Sequence, residues 1–227
     1  MYKVKYRFYP SLLNSFKMYL DEEGYENSEG ETVVFVTFED LINQINRVPF
    51  PTTEAMQRGN DFETDVELMA VHGHDSWKHP ALPYSPNCVN KKTGQTNFEY
   101  IEVLKEVVDC LPWAFTTQKL ASRVHKNIEF YGKIDFAGVG KIIDTKFTSQ
   151  YQFPKFKNSF QNLYLWATQN EGFRSMEYLV TTGKIVYKES YGLDYNFAEL
   201  LEQMEMFVEF VEHNRHLISD KKIFNLK

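Results

Sequence analysis

The sequence contains no apolar run approaching the ~20 consecutive residues that a transmembrane helix requires, so no membrane span is predicted. Basic residues occur near the start, from Lys3 to Arg7, but no apolar segment follows them as it would in a secretory signal. Cysteine is scarce, since Cys88 and Cys110 are too few for a disulfide framework or a four-cysteine metal centre. We therefore expect a protein of the reducing cytoplasm, without membrane association.

The low hydrophobic content that marks disordered chains is also missing. Hydrophobic residues make up 43% and aromatic residues 16% of the 227 residues, enough for one well-packed domain spanning 1–227. The net charge of −6 argues against a simple basic DNA coat. The segment 119–157 nevertheless carries eight Lys and Arg against three acids. Such a segment suits a polyanionic partner, and it suits an ordinary solvated sheet face equally well.

Local patterns divide the chain into a helical first half and a second half in which strands and helices follow one another. Apolar residues at helical spacing predict helices at 10–20, 38–46, 53–71, 99–111, 156–169 and 197–217. Alternating β-branched and aromatic residues predict strands at 32–36, 115–125, 128–136, 141–147, 175–182 and 184–191. This order predicts an α/β (α+β) domain with a central mixed β-sheet flanked by helices, and a loop insertion at 72–98.

Residues with catalytic chemistry are concentrated in a hairpin that turns at 138–140. Asp135 lies near the end of one strand, while Asp144 and Lys146 lie two residues apart on the next strand and therefore share a face. Two carboxylates held together repel each other unless a cation lies between them. Because no His or Cys is nearby, the oxygen ligands favour Mg²⁺ or Mn²⁺. A surface hairpin with a cross-strand Asp–Lys ion pair fits the same pattern.

Two helices add polar groups that could reach this hairpin. Glu63 lies beside the apolar stripe of its helix, four residues after Gly59, where a carboxylate can extend over the sheet. Lys157, Gln161 and Tyr164 follow at helical spacing and would present an ammonium, an amide and a phenol on one face. Taken separately, each set is an ordinary polar edge of an amphipathic helix.

The order and spacing of these residues resemble the PD-(D/E)XK nuclease superfamily, specifically its RecB-like and lambda-type exonuclease branch. Gly59 and Glu63 resemble the first motif, G-x₃-(H/E). Asp135 resembles the motif aspartate, and the run 142–148 is similar to the wording IIDxKT of the D/E-x-K motif. The resemblance spans residues 10–170 and implies a single restriction-endonuclease-like domain.

The resemblance also implies a function and roles for individual residues. The implied activity is that of a metal-dependent deoxyribonuclease, expected to be an exonuclease, which hydrolyses DNA phosphodiester bonds with Mg²⁺ or Mn²⁺. Lys146 would orient the attacking water, and Gln161 would position that water or the phosphate. Tyr164, with Gln161 in a Gln–Tyr helix motif, would support the site, and Lys157 is expected to support it from the same helix. The implied metal ligands are Glu63, Asp135, Asp144 and the Thr145 carbonyl.

The resemblance extends to a biological role in phage or mobile-element recombination or DNA processing, in the host cytoplasm if the protein is of phage origin. DNA is the implied substrate, a recombination or single-strand-binding protein is a candidate partner, and a homo-oligomer is left open. A catalytically silent nucleic-acid-binding or assembly module on the same fold is the alternative.

A second grouping of metal-binding residue types lies in the irregular stretch 72–98. His72, His74 and His79, with Cys88 as a fourth ligand, could hold zinc, although loop histidines are far more often exposed and unligated. An ordinary connecting loop is as compatible with this composition as a loop that faces substrate. The stretch also contains side chains that could contact single-stranded nucleic acid, namely Trp77, Tyr84, Lys91 and Lys92.

Overall fold

The computed structural model describes residues 3–26, 32–78, 88 and 95–225. Its helices are α1 (Pro10–Leu20), α2 (Phe38–Ile45), α3 (Glu54–His72), α4 (Phe98–Asp109), α5 (Leu163–Thr168) and α6 (Ala198–His213). Its strands are β1 (Tyr6–Phe8), β2 (Gly24–Glu26), β3 (Thr32–Val34), β4 (Thr116–His125), β5 (Ile128–Gly138), β6 (Lys141–Phe147), β7 (Ser175–Thr181) and β8 (Val186–Gly192). The expected α/β domain with a central mixed sheet flanked by helices is confirmed.

Strand β5 is the branching point of the mixed sheet. β4 pairs with it antiparallel along one edge, from residue 128 to residue 137. β1 and β6 share its other edge, β1 in parallel at 128–130 and β6 antiparallel at 136–138. The stretch between them, residues 131–135, therefore pairs with neither strand on that edge. β7 runs parallel to β6, and β8 follows antiparallel to β7.

Apolar residues pack on both faces of this sheet. One core joins the sheet to side chains of α1, α2, α5 and α6, and the other joins it to α3 and α4. On β6, Ile142 belongs to the first core and Ile143 to the second, as the alternation of a strand requires. Both residues are fully buried, so β6 brings the chain from the interior of the domain to Asp144.

Side-chain caps explain where two helices of the first half begin. Thr37 Oγ1 accepts a hydrogen bond from the Asp40 N–H at 3.1 Å, and the Asp40 carboxylate accepts one from the Thr37 N–H at 3.0 Å. This reciprocal capping box fixes the start of α2 at the residue that the sequence predicts. Thr53 caps α3 in a simpler way, by accepting a hydrogen bond from the Met56 N–H.

The helix predicted at 156–169 is much shorter in the structure. A 3₁₀ turn at Phe160–Asn162 leads into α5, and a second one at Gln169–Glu171 follows it. Asn162 donates hydrogen bonds to the carbonyls of Phe156 and Lys157, at 3.0 and 2.9 Å. Glu189 accepts the N–H groups of Lys155 and Phe156. These hydrogen bonds from Asn162 and to the distant Glu189 hold the backbone of 155–157 in an irregular turn, so Lys157 does not lie on a helix with Gln161.

Smaller differences affect short elements and ends. β1 and β2 were not predicted, because three residues are too few to show a period of two. α6 ends at His213, and residues 215–217 form a 3₁₀ turn instead of continuing the helix to 217. Asn214 interrupts the helix, and its side chain donates to the Phe210 carbonyl. Among the described residues, no helix is both long and apolar enough to cross a membrane.

The turn between β5 and β6 offers a stability test. Gly138 pairs with Lys141, and the two residues between them, Val139 and Gly140, have positive φ of 47° and 75°. A β-branched residue is unfavourable there by about 1–2 kcal/mol, whereas Asn-Gly is the preferred pair for such hairpin turns. Because Val139 is 58% exposed and loses little packing, Val139→Asn is expected to stabilise the protein by about 1 kcal/mol.

This gain should appear in thermal unfolding as a rise in Tm of roughly 2–4 °C. Ile185→Asn is the matched control, because Ile185 is similarly exposed in a turn but is not among the residues with positive φ. A lower Tm for Val139→Asn, or an equal rise for Ile185→Asn, would contradict this account of the turn.

Candidate active site on strands β5 and β6

The hairpin brings Asp135 and Asp144 together as the sequence predicts. The ladder between β5 and β6 pairs Phe136 with Ile143, so the next residues outward, Asp135 and Asp144, stand opposite each other. Opposed residues of an antiparallel pair project to the same face. The strands are linked here by a hydrogen bond from the Thr145 N–H to Asp135 Oδ2, at 3.1 Å.

Asp144 is a buried carboxylate whose charged neighbour is Lys146. Only 5% of Asp144 is exposed, and its Oδ2 lies 2.5 Å from Lys146 Nζ. Apart from Lys146, no donor among the described residues satisfies this buried oxygen. The Lys146 side chain as a whole is 32% exposed, so it is only partly removed from solvent.

Burial and neighbouring charges shift the pKa values of Asp135 and Lys146. Burial raises the pKa of Asp135 well above its ordinary value, and the charges of Asp144 and Glu63 raise it further. Lys146 and the Thr145 N–H act in the opposite direction without cancelling the rise. Burial would lower the pKa of Lys146, but the charges of Asp144 and Asp135 outweigh it and raise that pKa. Lys146 is therefore an ammonium ion at neutral pH.

Glu63 approaches this group from α3. Its neighbours Phe62 and Val66 are fully buried in the second core and fix the orientation of the helix. Glu63 itself is partly exposed, and its charge contributes to raising the pKa values of both Asp135 and Lys146. Its Oε1 accepts a hydrogen bond of 3.3 Å from Gln118 Nε2.

Two other acids of the same helix segment are hydrogen-bonded to side chains outside the β5–β6 hairpin. Asp61 accepts a hydrogen bond from Gln57 Nε2 at 2.7 Å. Asp65 is buried and accepts one from the Tyr100 hydroxyl at 2.8 Å. Of the three acids, Glu63 is the one whose charge acts on Asp135.

Tyr164 packs directly against β5. Its hydroxyl lies so close to Gly132 that a Cβ at that position would approach it to 2.5 Å, which only glycine avoids. Burial raises the pKa of Tyr164, and the charges of Asp144 and Asp135 add to the rise, whereas a hydrogen bond from the Lys133 backbone opposes it. Tyr164 is thus a neutral, buried side chain beside the stretch of β5 that pairs with neither β1 nor β6.

Gln161 is held from the side of α1. Its Oε1 accepts hydrogen bonds from Asn14 Nδ2, at 2.8 Å, and from Ser159 Oγ. Asn14 in turn accepts the Phe160 N–H at 2.9 Å. The amide nitrogen of Gln161 makes no hydrogen bond within the described parts of the chain, so it is the end that can serve a ligand. Lys157 is exposed in the preceding turn, and its carbonyl accepts a hydrogen bond from Tyr195.

Three contributing residues were missed by the sequence analysis. Asn14 and Gly132 act through contacts between distant segments, which local patterns do not reveal. Gln118 could have been found by counting outward from the two-residue turn between His125 and Ile128, which places Gln118 opposite Asp135.

The histidine-rich stretch forms no metal centre among the residues that the structure describes. His72 is exposed at the end of α3, and His74 Nε2 lies 3.1 Å from Asp109 Oδ1. Cys88 is buried in the second core. His79, Tyr84, Lys91 and Lys92 lie outside the described residues, as do the side chain of Trp77 and most of the loop expected at 72–98.

The chemistry of Asp135 and Asp144 fits a divalent cation. Both ligands are hard oxygen donors, Asp144 Oδ2 is buried without a donor other than Lys146, and the mutual repulsion favours a positive charge between them. Glu63 does not join the two aspartates as a third ligand in the structure. Within the described ranges, no three Asp, Glu, His or Cys side chains are grouped closely enough to share one ion.

Comparison with known proteins supports the fold. A search with protein-family models and a search of curated proteins both find no match. The chain is similar to a solved protein from Eubacterium rectale that is named provisionally as an exonuclease, with a TM-score of 0.54 and 11% identity over 93% of this chain and 82% of that one. A second solved protein, SSO0001, reaches a TM-score of 0.38 at 12% identity over 76% of this chain and 85% of that one. That TM-score is too low to support a conclusion. At 11% identity the first likeness shows a shared fold.

The raised pKa of Asp135 predicts how the metal-free protein responds to pH. The folded protein binds a proton more tightly than the unfolded chain, whose carboxyl titrates near 3.8, so this group makes stability fall as pH rises from about 3.8 to the folded pKa. Asp135→Asn removes the charge but keeps an oxygen that can accept the Thr145 N–H. It should raise Tm at pH 7 in EDTA by roughly 2–4 °C, the effect of about 1 kcal/mol in a chain of this size.

Thermal unfolding at pH 7 and near pH 3.5 is the measurement. The gain should shrink at the lower pH, because Asp135 of the wild type is then protonated in the folded protein and largely protonated in the unfolded chain. Asp61→Asn is the control, because its partner Gln57 is exposed and uncharged. If Asp135→Asn were less stable than the wild type at pH 7, the two carboxylates would not repel each other as described.

Proposed function

We propose that the chain is a metal-dependent deoxyribonuclease that hydrolyses phosphodiester bonds of DNA. The observation that carries the proposal is the partly buried pair of Asp135 and Asp144 on adjacent strands, with Lys146 at its edge. Holding like charges together costs stability, and a carboxylate with a raised pKa, such as that of Asp135, is typical of functional sites. The likeness to a protein from Eubacterium rectale that is named provisionally as an exonuclease supports the same assignment by analogy of fold.

The proposed metal ligands are Asp135, Asp144 and the Thr145 carbonyl, with Glu63 approaching from α3. Mg²⁺ or Mn²⁺ would supply Lewis-acid chemistry that activates water and offsets the charge of the phosphate. The hydrogen bond from the Thr145 N–H fixes Asp135 Oδ2 and leaves its second oxygen for the ion.

Lys146 acts as a fixed positive charge in this proposal. Because its pKa is raised, it cannot take up a proton from water, and it instead orients the attacking water and stabilises charge on the phosphate. Gln161 donates its free amide nitrogen to the water or to a phosphate oxygen. Tyr164 packs α5 against β5 at Gly132 and so fixes the position of Gln161 relative to Lys146.

Few cations of the basic segment 119–157 are free to attract DNA. Lys119, Lys126 and Lys141 form ion pairs with glutamates, and Lys146 pairs with Asp144. Lys155 is exposed, but its Nζ donates to Thr148 Oγ1 and the Gln150 carbonyl. Lys133 and Lys157 are exposed, and their side chains form neither an ion pair nor a hydrogen bond within the described residues, so they are the proposed phosphate contacts. Two such contacts imply a modest dependence of DNA affinity on salt.

The finer points of the function rest on the sequence resemblance. Attack at DNA ends is proposed because both the resemblance and the fold relative point to exonucleases. The role in phage or mobile-element DNA processing, in the host cytoplasm, rests on the resemblance alone. The same holds for a recombination or single-strand-binding partner and for a homo-oligomer.

A catalytically silent nucleic-acid-binding or assembly module is the second candidate. It is favoured by the position of Glu63, which within the described ranges is not grouped with the two aspartates closely enough to share an ion. A titration with Mn²⁺ separates the two candidates, because a silent module has no specific site that Asp144→Asn abolishes.

The proposal is tested by incubating end-labelled linear DNA and closed circular DNA, single- and double-stranded, with the protein and Mg²⁺ or Mn²⁺. Cleavage is expected with either ion and should stop in EDTA and in Asp144→Asn. Loss of label from linear DNA with intact circles identifies an exonuclease. Absence of cleavage on every substrate, with a folded protein, would refute the proposal.

Lys146→Ala should reduce kcat by roughly 10²–10³, the scale for losing one preorganised charge-stabilising group. The fold should persist, since the ammonium is at the edge of the site and supplies little core packing. Mn²⁺ affinity should be unchanged or higher, because a positive neighbour is removed.

Cleavage rates and Mn²⁺ binding measured on the same preparations check this expectation. Lys188→Ala is the matched control, since Lys188 is a strand lysine near a buried carboxylate, 3.9 Å from Glu177. Near-normal activity of Lys146→Ala would remove Lys146 from the mechanism.

A further inference from the structure

An unusual backbone conformation interrupts β4 directly opposite the candidate site. Gln118 has a φ of 52°, in the left-handed region that residues other than glycine, asparagine and aspartate seldom adopt. Strand residues on either side pair regularly, Thr117 with Phe136 and Lys119 with Ile134. Gln118 therefore stands opposite Asp135, at a place where the ladder has no pair. Strain of this kind within a regular strand is typical of functional sites.

The side chain of Gln118 leads from this position to the third carboxylate. Its Nε2 donates a hydrogen bond of 3.3 Å to Glu63 Oε1. Gln118 is exposed, so its side chain adds little to either hydrophobic core. Its hydrogen bond to Glu63 is therefore not a consequence of core packing. The positive φ of Gln118 and the hydrogen bond of its amide together connect β4, beside Asp135, to Glu63 on α3.

From this juxtaposition we infer that Gln118 is a positioning residue that holds the Glu63 carboxylate near Asp135 and Asp144. The inference rests on the proposed nuclease function, because it assigns a role within the same site. Gln118 acts through Glu63 and contacts neither water nor phosphate in this role. Residues that orient metal-binding carboxylates typically change metal affinity or activity by about 10–100-fold when they are lost.

Gln118→Gly separates positioning from structural support. Glycine tolerates positive φ, so the substitution relieves the backbone while it removes the amide, and Tm should equal or exceed that of the wild type. Mn²⁺ affinity and kcat should nevertheless fall by about tenfold or more, while KM for DNA changes little. A residue that only supported the fold would show the reverse pattern, a change in Tm without a change in affinity.

Glu22→Gly is the matched control for the backbone. Glu22 has a φ of 49°, is exposed in the turn after α1 and forms no ion pair with the described residues. Its replacement should have the same effect on Tm without altering Mn²⁺ binding or cleavage. Unchanged Mn²⁺ binding and cleavage in Glu22→Gly would exclude the explanation that replacing any residue with positive φ by glycine lowers activity.

A double-mutant cycle with Glu63→Ala decides whether Gln118 acts through Glu63. In the Glu63→Ala protein, adding Gln118→Gly should change Mn²⁺ affinity and kcat by less than about twofold, since coupled residues are not additive. A full additional loss would show that Gln118 acts independently and would overturn the inference. Wild-type affinity and kcat in Gln118→Gly alone would overturn it as well.

The inference and the proposed function fail in different experiments. If the wild type cleaves DNA and Gln118→Gly does so equally well, the inference fails and the nuclease assignment stands. If the wild type cleaves no DNA, the nuclease assignment fails. The inference is then decided by Mn²⁺ binding and by crystal structures of the metal-free proteins, in which Glu63 should point away from Asp135 only when Gln118 is replaced.

Discussion

The repulsion between Asp135 and Asp144 is the constraint on which the candidate site depends. The β5–β6 hairpin forces the two carboxylates to face each other, and burial makes their charges more costly. Lys146 offsets part of this cost, and the charges of the two carboxylates in turn raise the pKa of Lys146. The arrangement is tolerated because β6 is packed between two hydrophobic cores. The free energy gained by burying their apolar side chains offsets the cost of one pair of repelling carboxylates.

The surrounding helices are fixed to the sheet by a few specific contacts. Tyr164 fits against Gly132, and Asn14 of α1 binds both Gln161 and the backbone of Phe160. Glu189 accepts hydrogen bonds from Tyr151, Tyr191 and two backbone N–H groups, which anchors the connection between β6 and α5 to β8. The open stretch of β5 between β1 and β6 leaves space for these contacts beside the carboxylates.

Much of this arrangement could be predicted from the sequence, and the reasons are local. The period of two and the glycine turn place Asp135, Asp144 and Lys146 together, and the capping box at Thr37 marks the start of α2. The short α5 was not predictable, because its length depends on hydrogen bonds that Asn162 donates to the preceding turn and on backbone N–H groups that donate to the distant Glu189 carboxylate. Gln118 was missed for a different reason: its position follows from the register of the hairpin, but its positive φ has no signature in the sequence.

The proposed function requires that Asp135 and Asp144 bind one divalent metal ion beside Lys146. Anomalous diffraction from crystals soaked in Mn²⁺ tests it most directly. A bound ion should give a peak about 2.1 Å from oxygens of both aspartates, with Lys146 Nζ moved away from its present distance of 2.5 Å to Asp144 Oδ2. A crystal saturated with Mn²⁺ that shows no peak between the two carboxylates, and an unchanged Lys146–Asp144 ion pair, would contradict it.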